Sequence, residues 1–261
     1  MIRLQKDSIV TFEFASLCAD EGLSHAIFGR HGGVSPAPWQ SLNLSTATGD
    51  SAEHVSENYR RVYMVLGYSP SDAVISRQVH ANRVAAVGRA ERGMRVPDCD
   101  ALMTNEPAVV LLQRHADCPP IFLFDPQRRA VGVANAGWRG TLANIAGAMV
   151  RACAEAYGSR PADLVAAIGP GIGACCYHVG ADVQREFASA YDQAHLWLHG
   201  NGDGKVYLDL VAANRALLHE AGVQEVESAD LCTACNVAEF YSARAENRRN
   251  GCFGAAIVLR G

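Results

Sequence analysis

The chain has 261 residues, of which 49% are hydrophobic and 19% are charged, so it can bury a sizeable core and is not a disordered protein. Its net charge of −4 and its scattered basic residues exclude an extended nucleic-acid-binding surface. The densest basic cluster, Arg244 to Arg249, includes Glu246, and we interpret it as a solvated loop.

The nine cysteines do not indicate a secreted protein, because their number is odd and the first residues, MIRLQKDSIVTFEF, do not resemble a signal peptide. No apolar run approaches the roughly 18 residues that a membrane span needs. We therefore expect a cytoplasmic protein with reduced thiols and no membrane partner.

In the first part of the chain, strands are predicted over 8–16, 25–30, 73–80 and 83–88, and a helix over 49–67. Asp50 or Ser51 is expected to cap this helix, and Gly67 to end it. The strands over 73–80 and 83–88 are expected to be joined by a tight connection at residues 81–82.

Further along the chain, the predicted strands cover 108–113, 120–124, 130–135, 164–170 and 253–259, and the predicted helices cover 140–158, 180–192 and 208–221. Strands outnumber helices and their order is irregular, unlike a repeated βαβ array. This pattern predicts an α+β fold, a layered sandwich with mixed β-sheets flanked by helices. No linker divides the chain, so we expect a single domain over residues 1–261.

Polar residues interrupt three consecutive apolar segments at similar strand-end positions: His80, Asp98, Asp100, Arg114, His115, Asp117 and Cys118. Any one of them alone is more often structural, but their coincidence favours a functional site. In GWRG, Arg139 follows a strand at a predicted helix start, where backbone N–H groups favour an anion.

Two glycine- or cysteine-rich segments give weaker signals. Cys232 and Cys235 have the CxxC spacing, but no second pair lies at zinc-ribbon distance, so the spacing does not predict a metal site. The segment IGPGIGACCYHVG, residues 168–180, lacks the spacing of a phosphate-binding loop.

A metal site is nevertheless suggested by His80 and Cys118, because an imidazole and a thiolate suit zinc or copper. A catalytic zinc needs a third protein ligand and an open position. The natural place for that ligand is another strand end, near Asn135.

The ordered motifs resemble the bacterial laccase-domain proteins, once named multicopper polyphenol oxidoreductases and now regarded as purine nucleoside phosphorylases with adenosine deaminase activity. The resemblance is carried by GRHGGVS (29–35), SLNLSTATGD (41–50), SENYRRV (56–62), SRQVHANRV (76–84), DCDALMTNEP (98–107), ADCPP (116–120), AGWRG (136–140), IGPGIGACCYHVG (168–180) and FYSAR (240–244). Such a series over most of the chain is a specific signal.

The resemblance implies a metal held by a histidine, a cysteine and a second histidine. The first two correspond to His80 and Cys118, but the second histidine is replaced here by Asn135. A neutral amide oxygen is a weak donor for zinc, so we expect weak or partial zinc occupancy, with copper as the alternative ion. His115 is the nearest spare imidazole that could substitute.

The resemblance also implies a purine nucleoside phosphorylase that acts on adenosine and inosine, with methylthioadenosine as a further candidate substrate and adenosine deaminase as a side activity. The expected partners are therefore a purine nucleoside and phosphate, and no nucleic acid. The candidate catalytic residues are Cys118, His80, Arg139, Asp117 and Asp100, with Arg139 at the phosphate and the two aspartates as acid–base or orienting groups. The candidate substrate-binding residues are Arg30, Arg60, Cys175, Cys176 and Tyr177.

Three other functions remain open from the sequence. A copper-dependent polyphenol oxidase is disfavoured, because the nine histidines contain no HxH pair. A metal-free hydrolase could use Cys118 as nucleophile and His80 as base. A non-catalytic binding protein that has lost its metal is the third alternative.

Overall fold

Strands and six α-helices alternate irregularly along the part of the chain that the computed structural model describes, residues 1–202 and 204–261. The first eight strands are β1 (Ile2–Lys6), β2 (Ile9–Glu13), β3 (Leu23–Phe28), β4 (Ala73–Ser76), β5 (Val84–Ala86), β6 (Arg95–Val96), β7 (Ala101–Thr104) and β8 (Val110–His115). The others are β9 (Pro120–Asp125), β10 (Ala130–Asn135), β11 (Val165–Ile168), β12 (His178–Val179), β13 (Leu198–Gly200), β14 (Val206–Leu208), β15 (Glu225–Ser228) and β16 (Phe253–Leu259). The helices are α1 (Ala15–Cys18), α2 (Ala52–Leu66), α3 (Trp138–Leu142), α4 (Ile145–Tyr157), α5 (Ala181–Ala190) and α6 (Leu210–Glu220).

Two large sheets form the inner layers of the molecule. The strand order is β1-β2-β3-β16-β8-β4-β6 in the seven-stranded sheet and β15-β11-β9-β10-β7-β5 in the six-stranded sheet, and a small sheet has the order β12-β14-β13. Strand β4 runs parallel to β8, whereas β16 runs antiparallel to both β3 and β8. This topology confirms the predicted α+β fold with mixed sheets.

Alternate residues of each central strand enter different layers of the core. On β8, Leu111 packs against the six-stranded sheet, whereas Leu112 packs with Tyr63 of α2 on the outer face. On β10, Val133 faces the seven-stranded sheet, and Ala134 shares a cluster with Met149 of α4. Because both faces of each sheet are buried, these strands are continuous apolar runs in the sequence. The core thus consists of three hydrophobic clusters, one between the two large sheets and one on the outer face of each.

The predicted helix over 49–67 is confirmed as α2, together with both of its ends. The Ser51 side chain accepts a hydrogen bond from the N–H of His54, which makes Ser51 the N-cap. Gly67 ends the helix at φ 82°, a left-handed conformation that glycine adopts without steric cost. None of the helices among the described residues is long and apolar enough to cross a membrane.

The predicted tight connection at residues 81–82 is wrong, because β4 and β5 belong to different sheets. Strand β4 pairs with β8 in the seven-stranded sheet, and β5 pairs with β7 in the six-stranded sheet. Residues 77–83 therefore cross from one layer to the other, and they carry His80 across one end of the sandwich.

The predicted helix over 140–158 is also corrected, since it consists of the two helices α3 and α4. Asn144 separates them at φ 56°, and its side chain accepts a hydrogen bond from the N–H of Gly147 at the start of α4. Asparagine tolerates this left-handed conformation better than most residues. The break leaves α3 as a short helix that places Trp138 and Arg139 directly after β10.

The other differences concern short or polar elements. The predicted strand over 8–16 ends at Glu13 and is followed by α1. Seven strands were not predicted, namely β1, β6, β7 and β12 to β15, because each has only two to five residues.

Candidate active site

An open cavity of about 570 Å³ lies at the end of the sandwich where β4, β8 and β10 finish. Its size is that of a small-molecule site. The cavity is lined by His80, Ala116, Asp117, Cys118, Gly137, Trp138, Arg139, Tyr177, Ala243, Arg244, Asn247 and Arg248. The structure thus brings together His80, Asp117, Cys118, Arg139 and Tyr177 among the predicted site residues.

His80 is held in place by a buried carboxylate beneath its loop. Asp100 is fully buried and accepts hydrogen bonds from the N–H groups of Val79 at 3.1 Å, His80 at 2.9 Å and Ala81 at 2.9 Å. These bonds fix His80 at φ 59°, in the left-handed region. Asp100 does not line the cavity, so the geometry favours its orienting role over acid–base catalysis.

Asn135 lies at the end of β10 and contacts the imidazole of His80. Its side-chain Nδ2 lies 3.2 Å from His80 Nδ1 and 3.4 Å from Asp100 Oδ1. The amide group of Asn135 donates, so His80 Nδ1 accepts and Nε2 is the ring nitrogen that can carry a hydrogen. Asn135 therefore occupies the lone pair of His80 Nδ1 and leaves only Nε2 directed elsewhere.

Cys118 and His80 face the same space because residue 137 is glycine. A Cβ atom on Gly137 would lie 2.6 Å from Cys118 Sγ and 3.9 Å from His80 Nδ1. Burial raises the pKa of the Cys118 thiol to about 12, which opposes its use as a free thiolate nucleophile. The metal-free hydrolase therefore receives no support from this geometry.

The donor set does not fit the family's metal site. Among the described residues, no group of three convergent metal-ligand side chains includes a histidine. His115 is buried and its Nδ1 donates to the Cys118 carbonyl at 3.1 Å, which leaves Nε2 as the nitrogen that could bind a metal. Within the part of the chain that the structure describes, however, this histidine does not converge with His80 and Cys118 into a group of three ligands. Two ligands and an amide donor do not make up a catalytic zinc site, so no reaction step is assigned to a metal here. Copper-dependent oxidation gains no support for the same reason.

Asp117 connects the turn between β8 and β9 to the distant C-terminal part of the chain. Its Oδ1 accepts a hydrogen bond from Thr233 Oγ1 at 2.7 Å, and its Oδ2 accepts one from the N–H of Arg244 at 2.7 Å. The residue adopts φ 82°. Since both oxygens have protein partners, the structure favours an orienting role for Asp117 as well.

Three guanidinium groups, those of Arg139, Arg244 and Arg248, line the cavity and give it positive charge. The Arg139 guanidinium lies over the Trp138 ring, 4.2 Å from its centroid, and that of Arg244 lies 5.1 Å from the Tyr177 ring. Arg244 Nη1 also donates to His178 Nδ1 at 2.9 Å. Over residues 1–202 and 204–261, neither these two arginines nor Arg248 forms a side-chain ion pair with a carboxylate. Such a set of cations favours an anionic ligand.

The interpretation of residues 244–249 as a solvated loop is therefore corrected, because Arg244, Asn247 and Arg248 line the cavity. The sequence did carry one signal for them, since the motif FYSAR ends at Arg244. The positive φ angles of Asn247 and Arg248, which turn the loop, are not visible in the sequence.

Neither Arg30 nor Arg60 lines this cavity, which corrects their predicted role in substrate binding. The guanidinium of Arg30 donates to the carbonyls of Gln40 and Val237 and to Glu246. Arg60 lies on the exposed face of α2 and forms an ion pair with a glutamate one turn earlier. Both side chains have local structural partners instead.

Of the three predicted pocket residues in the segment 175–177, only Tyr177 lines the cavity. Cys175 and Cys176 point elsewhere, toward Cys232 and Cys235. This corrects their predicted substrate-binding role. It also shows that the CxxC pair does have two cysteine neighbours in the fold, although no second CxxC pair is present in the sequence.

The described part of the chain thus combines a layered α+β fold with a cavity of small-molecule size that three arginines line. The chain belongs to the multi-copper polyphenol oxidoreductase laccase family, whose model matches residues 24–260.

Two relatives and one solved structure show how close the similarity is. The chain is 37% identical over 235 residues to a purine nucleoside phosphorylase of Deinococcus radiodurans, covering 90% of this chain and 88% of that protein. It is 34% identical over 216 residues to adenosine deaminase RL5 of an unknown prokaryotic organism, covering 79% of this chain and 82% of that protein. The crystal structure of YlmD from Geobacillus stearothermophilus matches with a TM-score of 0.93 at 33% identity, covering 100% of this chain and 99% of that one.

Proposed function

We propose that the protein is a purine nucleoside phosphorylase that cleaves adenosine and inosine with phosphate, with methylthioadenosine as a further substrate. The observation that carries the proposal is the cluster of three arginines, Arg139, Arg244 and Arg248, around a cavity of nucleoside size. The names of the relatives in Deinococcus and other bacteria support the same reaction.

The arginines bind phosphate beside the ribose. Arg139 and Arg244 are pre-oriented by the aromatic rings of Trp138 and Tyr177, which restricts their side chains before the ligand arrives. Their charge also stabilises phosphate as it approaches C1′ of the ribose. The same two rings give the nucleoside an apolar surface.

His80 assists the departing purine. Because Nδ1 accepts the amide of Asn135, the Nε2–H group is free to donate a hydrogen bond to a purine nitrogen as negative charge develops on the base. A phosphate oxygen forms the new bond to C1′ while the C1′–N bond breaks. The proton that hydrogen phosphate loses ends on the purine nitrogen, so the products are the free base and ribose 1-phosphate.

Adenosine deamination is the second proposed activity, and the relative named adenosine deaminase RL5 is the observation that favours it. In that reaction water replaces the amino group at C6, so it needs no phosphate. The two activities are therefore separable by their dependence on phosphate. We place both in the cytoplasm.

The test is product analysis by chromatography after incubation with adenosine, with and without phosphate. The expected products are adenine and ribose 1-phosphate only when phosphate is present, and some inosine in both cases. An Arg244→Ala variant purified in parallel should lose the phosphorolysis, which excludes a contaminating host enzyme. Unchanged adenosine in all reactions would refute the proposed function.

A further inference from the structure

Four cysteines from two distant segments converge outside the candidate active site. We call Cys175, Cys176, Cys232 and Cys235 the four-cysteine cluster. All four sulfur atoms lie within 4.8 Å of one another. Two of the distances, from Cys235 Sγ to Cys175 Sγ and to Cys176 Sγ, are 3.6 Å and 3.5 Å.

These distances are close to those between sulfur atoms that share a metal ion. In a tetrahedral site with zinc–sulfur bonds of about 2.3 Å, neighbouring sulfurs lie about 3.8 Å apart. A disulfide bond would bring two sulfurs to about 2.05 Å and would leave the other two unexplained. The convergence of four thiols on one point favours a metal ion over paired disulfides.

The backbone around the four-cysteine cluster is already arranged to stabilise thiolate. The N–H group of Gly173 donates to Cys232 Sγ at 3.2 Å. The two segments are also joined by backbone hydrogen bonds, from Thr233 N to the Gly171 carbonyl at 2.9 Å and from Gly171 N to the Leu231 carbonyl at 3.3 Å. Amide N–H groups that point at sulfur partly offset the negative charge of a four-thiolate site.

We propose that the four-cysteine cluster binds one zinc ion as a closed structural site. Four thiolates fill the coordination shell of zinc and leave no open position for water or substrate, so the site holds structure and performs no chemistry. Each thiol gives up its proton to solvent when the metal binds.

A zinc ion at this site would stabilise one side of the candidate active-site cavity. Tyr177, which lines the cavity, directly follows Cys176. Thr233 directly follows Cys232, and its hydroxyl holds Asp117. A zinc ion would thus fix the two segments that position Tyr177 and Asp117, although it touches neither residue.

The first test is the zinc content of untagged protein purified under reducing conditions, measured by elemental analysis. Cys235→Ser should lose one zinc per chain relative to wild type. Cys18→Ser is the matched control, because Cys18 is also exposed but lies outside the four-cysteine cluster, and it should keep the ion. His80→Ala should also keep it, which separates this site from the cavity. Equal zinc in wild type and Cys235→Ser, or iron in place of zinc, would overturn the proposal.

A second measurement uses wild type alone, in case Cys235→Ser does not fold. Alkylation rates of each cysteine are followed by mass spectrometry with and without a zinc chelator. Because Cys175 and Cys235 are exposed, they should react rapidly once the ion is removed and slowly before, whereas the rate at Cys18 should not change. Rates that are independent of the chelator, or a disulfide within the cluster in reduced protein, would refute the zinc site.

Discussion

Replacement of Asp100 by asparagine tests whether the buried carboxylate determines the position of His80. Asp100 is fully buried, and its two oxygens accept three backbone N–H groups from residues 79–81. Asparagine has nearly the same shape but offers only one acceptor oxygen, and its amide group adds a donor. At least one of the three N–H groups must therefore face another donor.

The structure allows the cost to be worked out. If the amide oxygen takes the place of Oδ2, the bonds from Val79 and Ala81 remain, and the N–H of His80 loses its acceptor. A buried donor without a partner costs about 1–3 kcal/mol, and the loss of charge weakens each remaining bond by about 0.5–1 kcal/mol. The sum is roughly 2–5 kcal/mol, which lowers Tm by about 5–15 °C in a protein of this size.

The assay is thermal or urea unfolding of Asp100→Asn beside the control Asp98→Asn. Asp98 is half-exposed and forms one ion pair with Arg77 at 2.7 Å, so the control should cost less than about 1 kcal/mol. Asp100→Asn should also lower kcat for phosphorolysis more than it changes the KM for phosphate, because the imidazole is displaced and the arginines are not. Equal unfolding free energies for the two variants would refute the reasoning.

Three further predictions concern the anion site, the metal ligand and a buried histidine. Arg139→Ala should raise the KM for phosphate roughly tenfold to a hundredfold in initial-rate assays, since a lost hydrogen bond to a charged group is worth about 1.5–3 kcal/mol. The control Arg160→Ala, which removes an exposed ion pair, should leave this KM unchanged. Asn135→His should bind zinc at least about a hundredfold more tightly than the parent, because imidazole is a better zinc ligand than an amide. Both affinities are measured by titration with a competing chelator, in variants that lack the four-cysteine cluster. Equal affinities would show that Asn135 is not in the ligand position. His25 Nε2 accepts the N–H of Phe14 at 2.7 Å, and burial lowers the pKa of His25 to about 4, below its value near 6.5 in the unfolded chain. The unfolded state therefore binds the proton more readily, and His25 should reduce the free energy of unfolding by about 1.4 kcal/mol per pH unit as the pH falls from 6.5 to 4. In urea unfolding, a His25→Gln variant should lose less stability than wild type between pH 7 and pH 5. An identical dependence of stability on pH in the two proteins would contradict this role of His25.

The buried elements of the fold could be predicted from the sequence because their apolar runs are long. Strands β8, β9, β10 and β16 and helix α2 all lie where the hydrophobic pattern places them. The pairing of strands could not be predicted, because periodicity does not show which layer a strand enters. Strands β4 and β5 are close in sequence but belong to different sheets. Neither strand has a sequence feature that indicates which sheet it joins.

From residue patterns alone, without the family resemblance that pointed to Tyr177, the candidate site was predicted where its residues follow strong strands. His80, Cys118 and Arg139 were found as polar residues at strand ends. Arg244 was overlooked because it reaches the cavity through a backbone contact with Asp117, 127 residues earlier in the chain. The four-cysteine cluster was overlooked for the same reason, since its two pairs of cysteines are about 60 residues apart. Separations of this kind depend on the tertiary fold and leave no periodic signal.

The position of β16 has a consequence for biosynthesis. This strand lies between β3 and β8 in the seven-stranded sheet, and it is the only link between those two halves of the layer among the described strands. While the ribosome has not yet released residues 253–259, both β3 and β8 present open, apolar edges. Such edges pair readily with other chains. The growing polypeptide is thus prone to aggregate until residues 253–259 have paired with β3 and β8, and a chaperone that covers strand edges would act at that stage.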